Sequence, residues 1–455
     1  MVVMNHERVK AEVQGELFKR RRSEIPDAER VLTLQEKLYQ KAKQEREFNF
    51  YVLYDKMFIP YMLRQAWEHV KSNDGSPGVD KMTIADVEQY GVTAYLTELG
   101  EDLRKQTYEP QAVRRVMIEK ENGGQRPLGI PTVRDRIAQT VCKMILEPIF
   151  EADFEESSYG FRPERSAKGA MTAIKENLKQ GNTEVYDADL SKYFDTIPHD
   201  KLQIAMKERI TDPRILKLIN KWLKVSVVED GQYKSGKGNC IGTPQGGVIS
   251  PLLANIYLHL IDRIVNNPKS LFWKLGIRIV RYADDFVLMG KTLPIEIIER
   301  LKSLLQRMGL TINETKTRLI EARKDSFNFL GFTIRYDNDL KGRKTKYWNI
   351  TPSKKSEHKI REKVKEYLQT HGHCKASEVA IGINTRVRGW LNNFEIKGVS
   401  YPAMSKRRLR FYLYNSLNRY FERKSQRKCR LYGHNAFEVL KAKYGLIDPT
   451  KYVFQ

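Results

Sequence analysis

"IRIVRYADDFVLMG", residues 277–290, reads as two short strands rich in β-branched and aromatic residues, joined by a turn at Ala283 to Asp285. The turn sets two carboxylates, Asp284 and Asp285, side by side between apolar runs. An Asp-Asp pair in a hairpin turn is ordinarily just a turn with solvated side chains. The context here argues for more. Tyr282 and Phe286 flank the pair, and about a hundred residues earlier "TEVYDADLSKYFDTIPHDKL" (183–202) begins as a strand that ends in a further acidic group, Asp189. Carboxylates gathered on one sheet raise each other's pKa and oppose folding unless a cation is present. Mg²⁺ suits such a site, because it takes one or two carboxylates plus substrate phosphates, and two ions can bridge the attacking and leaving oxygens of a phosphoryl displacement.

Working outward, "GTPQGGVISPLLANIYLHLIDRIV" (242–265) is a glycine-rich turn followed by a long apolar helix, and residues 295–309 suggest another helix. "SFNFLGFTI" (326–334) reads as a strand. Upstream, "RRVMIEKENGGQRPLGIPT" (114–132) is a basic β-hairpin turning at Asn122–Gly124. Helical spacing recurs over 133–150 and 166–180, on either side of "YGFRP", and "SNDGSPGVDKMT" (72–83) is a loop between helices. Residues 1–50 are charged and rich in helix formers, broken at Pro26 and Asp27. Helices are also expected over 354–369 and 403–428.

At 455 residues, the chain is long enough for two or three domains. Its net charge of +24 makes a polyanion the expected partner. The excess is concentrated: residues 341–455 hold 27 basic and 8 acidic side chains, net +19, leaving +5 for the first 340. Four widely spaced cysteines without a CxxC pair indicate neither a disulfide framework nor a zinc ribbon. "HGHC" (371–374) reads as an exposed polar loop rather than a metal site, and "KRRR" (19–22) as a solvated helix face. No apolar run reaches the roughly 18 residues needed to cross a bilayer, so no membrane partner is expected and the localisation expected is cytoplasmic and nucleoid-associated.

Taken in order, "DADLSKYFDTIPH", "GTPQGGVISPLLANIYL", "RYADDFVLMG", "LTINETKT" and "FNFLGFTI" resemble the palm blocks of group II intron-encoded reverse transcriptases. "GSPGVDKMT", "RPLGIPTVRDRIAQ" and "SSYGFRPERSA" resemble that family's N-terminal and fingers blocks. The likeness covers roughly residues 60–340. It implies an α+β right-hand polymerase: a helical extension over 1–50, an N-terminal block and fingers over 51–185, a palm of antiparallel sheet and helices over 186–340 with part of the fingers interleaved, and an α-helical thumb and maturase domain over 341–455.

Carried over position by position, the resemblance implies that Asp189, Asp284 and Asp285 are the catalytic carboxylates and metal ligands, for two Mg²⁺ ions with Mn²⁺ as the alternative. Asp187 shares the strand face of Asp189, and Asp195 matches a position more often structural than metal-binding. Lys316 matches the lysine that protonates pyrophosphate. Lys120 and Arg126 match the residues that grip the incoming triphosphate, Phe194 the steric gate against a ribose 2′-hydroxyl, and Gln245 the turn beneath the templating pair. Gly246 and Gly247, where missing side chains let nucleic acid approach the backbone, join Tyr282, Ala283, Gly331 and Phe332 as primer and template positions.

"VRGWLNNF" and the basic segment that follows resemble the thumb and maturase region, with aromatics interleaved among Arg and Lys as RNA binding requires. The function implied is copying RNA into cDNA from a primer, with binding of group II intron RNA, help in its splicing, and retrohoming into target DNA. The partners implied are intron RNA, RNA template, DNA primer, target DNA and dNTPs. Many relatives end in a Cys- and His-bearing nuclease, for which this sequence shows no counterpart, so target-strand cleavage is not expected. The alternatives are a free-standing relative recruited to defence or diversification, and a splicing cofactor that binds RNA without polymerising.

Overall fold

The computed structural model describes residues 25–119, 124–236, 238–339, 345–424 and 431–453. "KRRR" and Lys120 lie outside these residues. The chain divides into two compact units, each assembled from separated stretches: Met1–Pro163, Leu190–Ile264 and Glu299–Asn313 in the first, and Glu164–Asp189, Val265–Ile298 and Glu314–Gln455 in the second. The architecture is mixed α and β with three small sheets.

In the first unit the organising element is the helix Val133–Glu151, whose residues are buried on nearly every face. A helix without a polar side has to be enclosed. The enclosing helices include Asp27–Gln44 and Pro60–Ser72, both packed on it, which bury one stripe each: Val31, Leu38 and Ala42, and Met62, Leu63, Ala66, Trp67 and Val70. Thr132 caps the central helix by accepting the Asp135 N–H at 3.1 Å. Strands β1 (Val113–Glu119) and β2 (Gln125–Ile130) form the expected hairpin, in register from Arg114 opposite Ile130 to Glu119 opposite Gln125. β1 also pairs in parallel with β4 (Val227–Glu229), which pairs with β5 (Gln232–Lys234). This second hairpin carries too few apolar residues for its pattern to stand out in the sequence.

In the second unit, strands β3 (Glu184–Ala188), β6 (Arg278–Tyr282), β7 (Asp285–Gly290) and β8 (Arg318–Glu321) form an antiparallel sheet in the order β6-β7-β3-β8. β7 is buried from Phe286 to Gly290, which explains the apolar run after the acidic pair. A second sheet, β11-β10-β9, is built from β9 (Phe327–Phe329), β10 (Phe332–Asn338) and β11 (Lys346–Pro352). "SFNFLGFTI" is therefore two strands rather than one. Leu330 and Gly331, with φ of 48° and 81°, make the two-residue turn between them, and positive φ at both residues belongs to a hairpin turn.

Helices Lys354–Thr370, Ala376–Phe394, Ala403–Arg423 and Ala436–Tyr444 complete this unit. The "HGHC" loop is the turn between the first two, but Cys374 is buried rather than exposed, since the turn folds its thiol inward. Among the described residues no helix is long and apolar enough to cross a membrane.

Candidate active site

Sheet register brings the acidic residues of the second unit together. Ala188 pairs with Phe286 and Asp187 with Val287, so Asp189, one step beyond the end of β3, falls alongside Asp285 at the start of β7. Residues opposite each other in an antiparallel pair lie about 4.5–5.5 Å apart at Cα. Asp187, two residues from Asp189, shares its face. Asp285 pairs with Tyr282, so the loop is the two residues Ala283 and Asp284; the expected turn was one residue too long, because Asp285 already belongs to the ladder. Ala283 has a φ of 57°, the positive first position that a tight hairpin connection requires.

A fully buried arginine supports this turn. Arg281 Nη1 donates to the Ala283 carbonyl at 2.9 Å, so a cation lies directly under the acidic tip. The sequence pattern missed Arg281, the buried one of the two arginines in β6; its signal was a charge enclosed between the apolar residues Ile279 and Val280 and the turn. Thr317 was missed too. Its hydroxyl accepts the Asp189 N–H at 3.3 Å and fixes the backbone at the end of β3.

The electrostatics are those of crowded anions. Asp285 keeps a solvent-facing surface, yet its carboxyl is pushed up to about 7, first by the protein that screens it from bulk water and then by the carboxylates of Asp284, Asp189 and Asp187, with Lys316 opposing. Asp187 is pushed up to about 6 by burial and then by Asp189, against the pull of Arg318, which lies opposite it on β8. Lys316 Nζ stands 3.1 Å from Asp189 Oδ2. One cation is thus already seated on the cluster.

Among the described residues no group of three or more His, Cys, Asp or Glu side chains is arranged to hold a metal ion by itself. The donor set nonetheless fits Mg²⁺. It consists of hard carboxylate oxygens gathered at one end of the sheet, and Mg²⁺ characteristically completes its octahedron with water and substrate phosphate rather than with protein alone.

Within the first unit, residues expected to handle nucleotide and template are joined by hydrogen bonds. Arg126 Nε donates to Gln245 Oε1 at 2.9 Å, and Gln245 Nε2 donates to Asp195 Oδ1 at 2.9 Å. Phe194 is half-buried, and its carbonyl accepts the Thr243 N–H at 2.6 Å. Beside it Tyr193 is a core residue, donating its hydroxyl to the Ala254 carbonyl.

Gly246 is needed for a reason internal to the protein. A Cβ there would stand 2.3 Å from the Gly129 carbonyl oxygen, and φ is 106°. The neighbouring Gly247 would press on Ser250 Oγ at 2.8 Å. In the second unit Gly331 lies in the β9–β10 turn, where a Cβ would meet Ser356 Oγ at 2.9 Å, and Phe332 opens β10 as a fully buried residue packed edge-on against Phe394.

Comparison with known proteins agrees with this geometry. Residues 118–334 match the family model described as reverse transcriptase (RNA-dependent DNA polymerase). The chain is 37% identical to Protein YkfC of Escherichia coli K12 over 311 residues, covering 60% of this chain and 80% of that protein. It is 35% identical to the group II intron-encoded protein LtrA of Lactococcus lactis subsp. cremoris, over 53% of this chain and 40% of the relative. A 91 kDa protein in the cob intron of Schizosaccharomyces pombe is 28% identical over 67% of this chain and 44% of its own length. The chain thus spans less than half of two of these relatives. With the matched region containing every strand of the carboxylate sheet, the chain belongs to the reverse transcriptase family and carries its RNA-directed DNA polymerase domain.

Proposed function

We propose that the chain is a group II intron-encoded reverse transcriptase and maturase, built as a right hand in which the β6-β7-β3-β8 sheet is the palm, the β1–β2 hairpin belongs to the fingers, and the helices after residue 353 form the thumb. The observation that carries the proposal is the register that sets Asp189 against Asp285 beside the Asp284 turn, with Lys316 on Asp189.

In this reading Asp189 and Asp284 hold divalent ions, with Asp285 the third acid. When bound, such ions neutralise charge on the attacking and leaving oxygens of an in-line displacement. The primer 3′-oxygen attacks the α-phosphorus, the bond from that phosphorus to the bridging oxygen breaks, and pyrophosphate departs. Lys316, an ammonium placed on the acidic cluster, is positioned to give the leaving group its proton.

Arg126 and Lys120 grip the triphosphate through charge-assisted contacts. Phe194 excludes the 2′-hydroxyl. Gln245, Gly246, Gly247, Tyr282, Ala283, Gly331 and Phe332 flank the primer and template.

The maturase part is supported by the helix Ala403–Arg423. Its exposed side presents Met404, Arg407, Arg408, Phe411, Tyr414 and Arg419, with Phe411 70% exposed, so cations and stacking surfaces share one face. The name of the Lactococcus relative points the same way. Binding of the purified chain to a group II intron transcript from its own locus, against an unrelated structured RNA of equal length, tests this. Preference of about tenfold or more, with faster splicing of that transcript, is expected; equal affinity and unchanged splicing would refute the intron assignment.

A further inference from the structure

Asp195 belongs to neither the carboxylate cluster nor the triphosphate grip, yet it is tightly placed. Its N–H donates to the Lys192 carbonyl at 2.8 Å, and the next loop of the first unit is fastened across it: the Thr243 N–H donates to the Phe194 carbonyl, and a Cβ on Gly242 would stand 2.9 Å from the Asp195 carbonyl oxygen. Gln245 is equally fixed, its own carbonyl accepting the Gly129 N–H at 2.6 Å. Between these two anchored backbones Gln245 Nε2 donates to Asp195 Oδ1 at 2.9 Å, and Gln245 Oε1 accepts from Arg126 Nε at 2.9 Å.

The order of atoms in this chain is dictated by chemistry. An ionised carboxylate only accepts hydrogen bonds and a guanidinium only donates them, whereas an amide does one at each end. Asp195 therefore forces the Gln245 amide to turn its NH₂ inward and its oxygen toward Arg126. Because the Arg126 guanidinium is engaged through Nε, and makes no other hydrogen bond among the described residues, its Nη1 and Nη2 remain as a planar fork for a phosphate.

We infer that Asp195 is a positioning residue for nucleotide binding, which through Gln245 orients the Arg126 guanidinium so that its terminal nitrogens meet the incoming triphosphate. The inference rests on the assignment of Arg126 to the triphosphate.

Asp195→Asn can donate as well as accept, so it no longer dictates the amide orientation. Gln245→Glu sets two carboxylates against each other. In the double variant the polarity is restored: the amide introduced at position 195 donates to the carboxylate introduced at position 245, and that carboxylate accepts from Arg126. The experiment compares wild type, Asp195→Asn, Gln245→Glu and the double variant on an RNA template, measuring kcat and KM for one dNTP. The Kd of the dNTP is measured on a dideoxy-terminated primer, which needs no turnover, and the Tm of each protein is recorded.

Each single substitution is expected to raise KM and Kd about three- to tenfold, the net worth of one ordinary hydrogen bond, with kcat changed less. The double variant is expected to recover most of the loss. A purely structural Asp195 would lower Tm and kcat without rescue by the second substitution, and that result overturns the inference, as does a Kd equal in all four proteins. A wild type that binds dNTP yet extends no primer would count against the polymerase assignment and leave the Kd comparison to judge the relay.

Discussion

Lys316 Nζ lies 3.1 Å from the carboxylate of Asp189, and both side chains keep some contact with solvent. Exposed ion pairs contribute about 1 kcal/mol or less to stability. Lys316→Ala should therefore leave the Tm almost unchanged while slowing nucleotide incorporation by about 10²- to 10⁴-fold, the usual range for a lost general acid. Single-turnover extension across pH checks this. A Lys316→Ala enzyme of normal rate would show that the lysine is merely a counter-ion.

The raised proton affinity of Asp285 and Asp187 sets a pH dependence of stability. In the metal-free protein these groups hold protons to about 7 and about 6, respectively, whereas in the unfolded chain an Asp titrates near 3.9. Between roughly pH 4 and 7 the folded state binds more protons, so the stability contributed by this cluster falls as pH rises and stays low above pH 7. Asp285→Asn should therefore melt higher than wild type in EDTA at pH 8, by about 1 kcal/mol after allowance for solvent screening, with the gap closing near pH 4. Adding Mg²⁺ should raise wild type more than the variant. Thermal melts at the two pH values decide it.

Phe194 is half-buried, with its backbone tied to Thr243 and its ring packed edge-on against Tyr193 at 5.5 Å between centroids. Phe194→Ala should raise ribonucleotide incorporation relative to deoxynucleotide by about 10- to 200-fold, the range a steric contact of this size controls. Competition between dCTP and CTP on one template measures it. An unchanged ratio would return Phe194 to an ordinary packing role.

On the helix Ala403–Arg423, Phe411 projects 70% exposed from a basic face. Its replacement by Ala should weaken RNA binding by about 1–3 kcal/mol if a base stacks on it. Arg407→Ala should reduce the slope of log K against log salt by about 0.7–0.9 if it contacts a phosphate. Filter binding at several salt concentrations separates the two effects.

Much of the carboxylate site could be read from the sequence, because strand period and turn chemistry are local. "RYADDFVLMG" announces a hairpin, and "VYDADL" a strand ending in acid. The register between them is not local, since the Ala188 to Phe286 pairing joins segments almost a hundred residues apart, and only the ordered set of motifs suggested it. Contacts made by isolated charges were also hidden. Arg281 looked like one more cation in a basic chain, and nothing in "GTPQGG" says that Gly246 is demanded by the Gly129 carbonyl. The turn at Leu330–Gly331 was masked by Phe329 and Phe332 on either side, which read as one strand until the φ values separate them.

The central claim is that Asp189, Asp284 and Asp285 act together on divalent ions. Its most direct test is extension of a DNA primer on an RNA template by wild type, Asp189→Asn and Asp284→Asn over a Mg²⁺ titration, with RNA binding measured alongside. The account predicts Mg²⁺-dependent synthesis by wild type and a loss on the order of 10³-fold or more in each variant, equivalent to several kcal/mol of lost charge stabilisation, with RNA affinity unchanged. Synthesis at the wild-type rate by either variant would contradict it.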